Sequence, residues 1–198
     1  MEIKKITFFT KQLGFSPMEH LRIMGPLKKT PIQIMLGFND DKLNSEIISL
    51  SQLILFQRDF PQDLKLYRQV IKQAELLKKP VIYDMDDYLL GLPENHPDRC
   101  SNIAGALLPM LEALIKANVV TVTTEKLRET LLEFNPNIIV MPNYLDDTIW
   151  KMQAPKLRSK EDQITIGYMG GDSHSPDLEW IAPVLLRIMD KYNDKIKY

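Results

Sequence analysis

Cysteine occurs once in the chain, at Cys100, which excludes an internal disulfide and suits a reducing compartment. Long hydrophobic runs are lacking too. The longest apolar stretch, around Ile47 to Phe56, is broken by Ser49, Ser51 and Gln52. The N-terminal MEIKKITFFT has an apolar run too short for a signal peptide and far too short to span a bilayer. A cytoplasmic location is the expectation, with peripheral contact at a membrane left open. Charge of one sign is also missing. The formal net charge is −1 and the isoelectric point is near 6.3, so no basic field recruits nucleic acid, although a local basic patch would not show in this balance. There is no GxSxG, no Ser-His-Asp pattern and no P-loop. His20, His96 and Cys100 lack metal-ligand spacing.

What is present is ordinary globular composition, 44% hydrophobic and 26% charged over 198 residues, enough for one domain with some excess. Strand-length apolar runs recur at Ile3–Phe9, Ile32–Gly37, Leu53–Gln57, Val81–Tyr83, Val119–Thr123, Ile138–Met141 and Ile164–Tyr168. Helical patterns lie between several of them. Ser16-Pro17-Met18-Glu19 is a capping box with proline at the first helical position. From Asp63 to Lys79, Leu64, Tyr67, Val70, Ile71, Ala74 and Leu77 keep helical spacing, and Pro80 enforces a stop. Another helix is expected through Leu111, Leu114 and Ile115, with Pro109 starting or kinking it. A third follows a cap at Thr124, with Leu127, Leu131 and Phe134 on one face. This alternation predicts an α/β fold, a parallel sheet with helices on both faces. The continuous apolar character of the strands agrees with a sheet covered on both sides.

A second parallel-sheet unit begins with ITIGYMGGDSH at Ile164. A strand running into Gly170-Gly171, then a helix opening at Ser175-Pro176, lets backbone N–H groups approach a phosphate. The residues after Gly170 suffice for one helix and no further strand. That helix is expected to bury Ile181, Val184, Leu185 and Ile188. The domains expected are residues 1–152, a polar linker at 153–163, and an incomplete second unit at 164–198. Dimerisation through that unit, or poor order beyond about Asp162, follows from its unpaired strand and uncovered helix face.

Ligands of parallel sheets bind beyond the carboxyl ends of the strands. The segments there are Thr10–Pro17, Gln57-Arg58-Asp59, Asp84-Met85-Asp86-Asp87, Thr123-Thr124-Glu125, Asn143 and Gly170–His174. Asp84, Asp86 and Asp87 repel one another unless a metal, a cation or several donors offset the cost, and Arg58 is the expected partner. The cluster could bind sugar hydroxyls, act as a base or hold a divalent cation; alternatively one aspartate caps a turn and the others face water. VIYDMDDYLL also approximates the signature of haloacid-dehalogenase-like phosphatases, with Asp84 as nucleophile, but Tyr88 replaces the small hydroxyl residue and the motif lies mid-chain. Trp150 and Trp180 read as core or interdomain packing rather than stacking platforms.

Taken in order, LILFQRDF, VIYDMDDYLLGLP, VVTVTTEKLRETL, IIVMPNYLDDTIW and ITIGYMGGDSHSPDL resemble bacterial glycosyltransferases of the GT-B fold, in the large group close to family 4. The resemblance covers about Leu53 to Leu178 and thins out before residue 50. It implies two Rossmann-like domains, an N-terminal one for the acceptor and a C-terminal one for a nucleotide-sugar donor, acting in surface polysaccharide synthesis. It implies Gly170, Gly171, Ser173 and His174 on the donor side, and Arg58, Asp84 and Asn143 on the acceptor side. Asp86 or Asp87 is the candidate base. Such enzymes usually work without a bound metal or other cofactor, the nucleotide-sugar being a co-substrate, which argues against a metal at the aspartates. The glutamate pair and basic residues that hold the donor in the family have no counterpart here, so this polypeptide alone is expected to transfer sugar poorly or not at all. A non-catalytic Rossmann-like binding module is the alternative.

Overall fold

Apolar runs bounded by polar residues become the strands of a parallel sheet. The computed structural model describes residues 3–10, 17–39, 42–60, 62–99, 103–154, 163–193 and 195–197. Two compact units divide the chain, one of Met1–Leu92 with Asn102–Trp150 and one of Pro93–Ser101 with Lys151–Tyr198. Ser16 of the capping box, Cys100 and most of the expected linker (155–162) lie outside the described residues.

The first unit runs in the order β1 (Lys5–Phe9), α1 (Pro17–Glu19), a π-helical stretch (His20–Met24), α2 (Gly25–Lys28), β2 (Gln33–Leu36), β3 (Phe38–Asn39), β4 (Lys42–Leu43), α3 (Ser45–Leu50), β5 (Leu53–Gln57), α4 (Leu64–Leu76), β6 (Val81–Met85), α5 (Leu107–Lys116), β7 (Val119–Val122), α6 (Glu125–Leu131) and β8 (Ile138–Val140). The six-stranded sheet has the order β2-β1-β5-β6-β7-β8, and every pairing in it is parallel. It is a Rossmann-like α/β fold. The chain leaves β1 towards β2 on one side and returns to β5 on the other, so the strand order reverses between β1 and β5.

Alternate residues of the central strands feed two cores, as a period of two requires. Ile54 and Phe56 join Phe9, Tyr83, Met85 and Val122 in the larger core. Leu53 and Leu55 join Ile6, Phe8 and Ile23 in the smaller one, under Met24 and Leu27 of the helical segment 17–28. The rings of Phe9 and Phe56 stack with centroids 5.0 Å apart.

Local signals explain most helix ends. Asp63 caps α4 by accepting from the Leu66 N–H at 2.7 Å, and Thr124 caps α6 through the Leu127 N–H at 3.1 Å. Helix α4 ends before Pro80 acts. Lys78 takes a left-handed φ of 52°, while Lys78 N–H and Lys79 N–H donate to the Glu75 and Ala74 carbonyls at 3.0 and 2.9 Å. That is a Schellman end with lysine where glycine is usual. Helix α5 starts at Leu107, so Pro109 sits in its first turn, where a missing N–H costs nothing. Its buried face is Met110, Ala113 and Leu114, and Ile115 points outward.

In the second unit β9 (Ile164–Thr165) pairs in parallel with β10 (Ile196–Lys197), and α7 (Ser175–Lys191) connects them. The expectation of no strand after the helix is thereby corrected. Strand β9 is also shorter than Ile164–Tyr168, because β10 offers it only two partners. Helix α7 buries none of its residues. Ile181 and Val184 are exposed, contrary to expectation, since a two-stranded ribbon is too small to cover a helix of this length.

Phe56→Ala should lower the unfolding free energy by about 3–5 kcal/mol, whereas Leu76→Ala, at a residue 75% exposed, should stay within about 0.5 kcal/mol. Urea unfolding midpoints would compare them; similar losses would contradict the assignment of the core.

Candidate functional site

Strand β6 extends two residues beyond the apolar run, which carries Asp84 into the sheet. Asp84 shares the parity of Ile82 and therefore faces the helical segment 17–28 rather than a loop. It is 0% exposed. A carboxylate so placed must be ionically paired and hydrogen-bonded, and it is. Arg22, in the π-helical stretch, donates through Nε to both oxygens at 3.0 and 2.8 Å and through Nη2 to Oδ1 at 2.6 Å. The Thr121 hydroxyl of β7 donates to Oδ1 at 2.6 Å, and the Gln57 amide of β5 reaches Oδ2 at 3.3 Å. The other face of the guanidinium serves the turn after β8, donating to the Met141 carbonyl at 2.8 Å and to Asn143 Oδ1 at 3.0 Å. Asp84 thus has no oxygen left for a ligand. It can be neither an acceptor contact nor a phosphatase nucleophile. Asn143 is exposed, with its amide oxygen engaged by Arg22.

Arg22 was invisible to motif reasoning. One signal existed: a lone arginine among Leu21, Ile23 and Met24, at positions that otherwise read as buried. Its segment is π-helical, a geometry that favours functional sites.

Arg58 pairs instead with Asp86, Nη1 to Oδ2, and lies 3.7 Å from Asp87 Oδ2. Its backbone has φ +54°, an unfavourable conformation for a residue with a Cβ, worth about 1–2 kcal/mol. Two bonds hold it there: Arg58 N–H to the Asp84 carbonyl at 2.9 Å and the Tyr83 hydroxyl to the Arg58 carbonyl at 2.7 Å. Asp86 is 5% exposed. Its carbonyl accepts from the Thr123 hydroxyl at 2.7 Å. Its Oδ1, however, is buried with no hydrogen-bond partner among the described residues. Burial pushes the Asp86 carboxyl above its ordinary 3.8; Arg58 opposes that shift and Asp87 adds to it. Asp87 is exposed, its side chain at 68%.

These groups stand at the carboxyl edge of β5 and β6, next to the point where the strand order reverses, the usual ligand position in such sheets. The arrangement offers a partly exposed cation, a buried carboxylate oxygen lacking a donor among the described residues, and a second, exposed carboxylate within reach of the same cation. It suits a group that can donate to Oδ1 of Asp86 while accepting from Arg58. A hydroxyl does both.

Gly170, Gly171, Ser173 and His174 belong to the second unit. A Cβ on Gly170 would sit 3.1 Å from the Tyr168 hydroxyl and from His174 Cβ, so glycine is there for closeness. Gly171 has open space around it. The Tyr168 hydroxyl donates to the His174 carbonyl at 3.1 Å, and His174 Nδ1 lies 3.1 Å from Asp177 Oδ2. No group of three or more His, Cys, Asp or Glu residues among those described could hold a metal ion, and none of the described helices is long and apolar enough to cross a membrane.

Arg22→Met strands a buried charge and should cost about 3–5 kcal/mol of stability, much of it recovered in the double variant Arg22→Met/Asp84→Leu. A loss under 1 kcal/mol in the single variant would contradict a buried ion pair. Asp86 provides a test by pH. Because its native value is raised, its protonated form favours folding. That contribution is complete below 3.8 and is lost as pH rises through the native value. By carboxyl-carbon NMR, Asp86 should titrate above 3.8 in the folded chain, and Arg58→Met should move it higher. An unshifted or lowered value would show that Arg58 outweighs burial.

No protein-family model matches the chain, and a search of curated proteins finds no match either.

Proposed function

We propose that the first unit is the acceptor side of a sugar transferase that uses a nucleotide-sugar donor. The carrying observation is Oδ1 of Asp86, without a partner among the described residues and buried beside Arg58 near the reversal of strand order. In this reading an acceptor hydroxyl donates to that oxygen. As it attacks the anomeric carbon, the new carbon–oxygen bond forms and the sugar–diphosphate bond breaks with its electron pair leaving on the diphosphate. The hydroxyl proton passes to Asp86, whose raised native value makes it a better base than an ordinary carboxylate. Arg58 orients Asp86 and offers its remaining N–H groups to acceptor oxygens. Asp87 is the alternative base, its side chain exposed and 3.7 Å from Arg58 Nη1. The GT-B resemblance of the ordered segments supports the same reading, with the Gly170-Gly171 backbone as the donor-diphosphate contact and transfer into a surface polysaccharide as the setting.

One observation favours a second reading, a Rossmann-like binding module without catalysis. Ser173 and His174 line a groove with Asp177 and Glu179, and no described lysine or arginine lines it. Carboxylates repel a diphosphate, so this groove does little for a nucleotide-sugar.

The test is nucleoside diphosphate release from uridine, guanosine and adenosine diphosphate sugars, with and without oligosaccharide acceptors. Slow, acceptor-dependent release is expected, because this polypeptide alone should transfer sugar poorly, and Asp86→Asn should reduce it roughly 10²–10⁴-fold. Undiminished turnover in Asp86→Asn would remove Asp86 from the reaction, and oligosaccharide binding that Asp86→Asn leaves intact, with no release from any donor, would favour the binding module.

A further inference from the structure

The indole of Trp180 was expected in a core or an interface, yet the residue is 85% exposed. It borders a groove of about 700 Å³, within the usual size of ligand pockets. Pro93 and Pro176 add two more apolar ring surfaces to the same groove. All of its lining residues lie in the second unit.

The polar lining has a definite donor and acceptor pattern. The Asp98 N–H donates to His96 Nδ1 at 3.2 Å, so neutral His96 carries its proton on Nε2 and offers a donor. His174 Nδ1 faces the Asp177 carboxylate, so neutral His174 keeps its proton on Nδ1 and offers Nε2 as an acceptor. The Asn95 amide both donates and accepts, while Asp177 and Glu179 only accept. A phosphate has only acceptors to offer and would meet two carboxylates with no described lysine or arginine to balance them. An organic cation has only donors and would leave His96 Nε2–H unmatched. Hydroxyl groups donate and accept at once and satisfy every group named.

We infer that this groove binds a neutral oligosaccharide, with a sugar ring stacked on Trp180. The negative face of the indole attracts the weakly positive C–H face of a pyranose, and the flanking side chains take its equatorial hydroxyls. The groove's lining residues belong to the second unit while Arg58 and Asp86 belong to the first, and the inference stands whether or not Asp86 takes part in transfer.

The experiment is binding of the full chain to an array of immobilised oligosaccharides: neutral glucans, mannans, galactans and N-acetylglucosamine oligomers, beside sulfated and uronic-acid ones. Neutral spots should retain the protein. Trp180→Ala should weaken that binding about tenfold, Trp180→Phe should keep most of it, and Leu76→Ala, at an exposed position of α4, should leave it unchanged. Circular dichroism of each variant should match the parent, because the Trp180 side chain is exposed. Retention on no neutral oligosaccharide, retention confined to acidic spots, or equal retention by Trp180→Ala would overturn the inference.

Discussion

The arrangement of the first unit's carboxyl edge depends on one buried ion pair. Arg22 and Asp84 are both withdrawn from water, and desolvating two charges costs several kcal/mol per ion before their attraction is counted. That cost is met by geometry: two donors of the guanidinium face the carboxylate, and Thr121 and Gln57 fill its remaining lone pairs. The same guanidinium then reaches across to the turn after β8. One charge pair therefore links the π-helical stretch, β5, β6, β7 and the end of β8. An apolar pair of equal volume could hold the layers together, but it could not dictate where the helical segment stops above the sheet.

Two residues further along, the same chemistry is left half finished. Asp84 sits within β6 and Asp86 just past its end, and both meet an arginine. Asp84 receives a full set of donors, while Asp86 receives one partner for Oδ2 and none among the described residues for Oδ1. The fold thus satisfies one carboxylate completely and leaves its neighbour wanting a donor among the described residues. The left-handed backbone at Arg58 stands on the Asp86 side of that contrast, and nothing in strand pairing alone requires it.

Much of the architecture was legible because it is local. Leu53–Gln57 was readable to the residue, bounded by a serine-glutamine step and an arginine. The caps at Asp63 and Thr124 announce themselves by residue type and spacing. What escaped was set by distant partners. Asp84 looked like the start of a loop because a charge in mid-strand is costly, and the arginine that offsets the cost is 62 residues away in sequence. The π-helical turn carries no sequence signature. Helix α3 was hidden inside an apolar run that continues into β5. Strand β10 is too short for any periodicity to show. Among the candidate site residues, the sequence pointed to Arg58 as the partner of an acidic cluster. Only the packing divides that cluster into Asp84, which belongs to Arg22, and Asp86 with Asp87, which face Arg58.

The left-handed turn at Arg58 sets two demands against each other at a single position. Glycine or asparagine would sit more comfortably in that conformation and would relieve about 1–2 kcal/mol of backbone strain. Neither could carry a guanidinium to Asp86. At position 58 the gain in backbone comfort from such a substitution is therefore set against a buried carboxylate left without its cation, and one residue carries both terms.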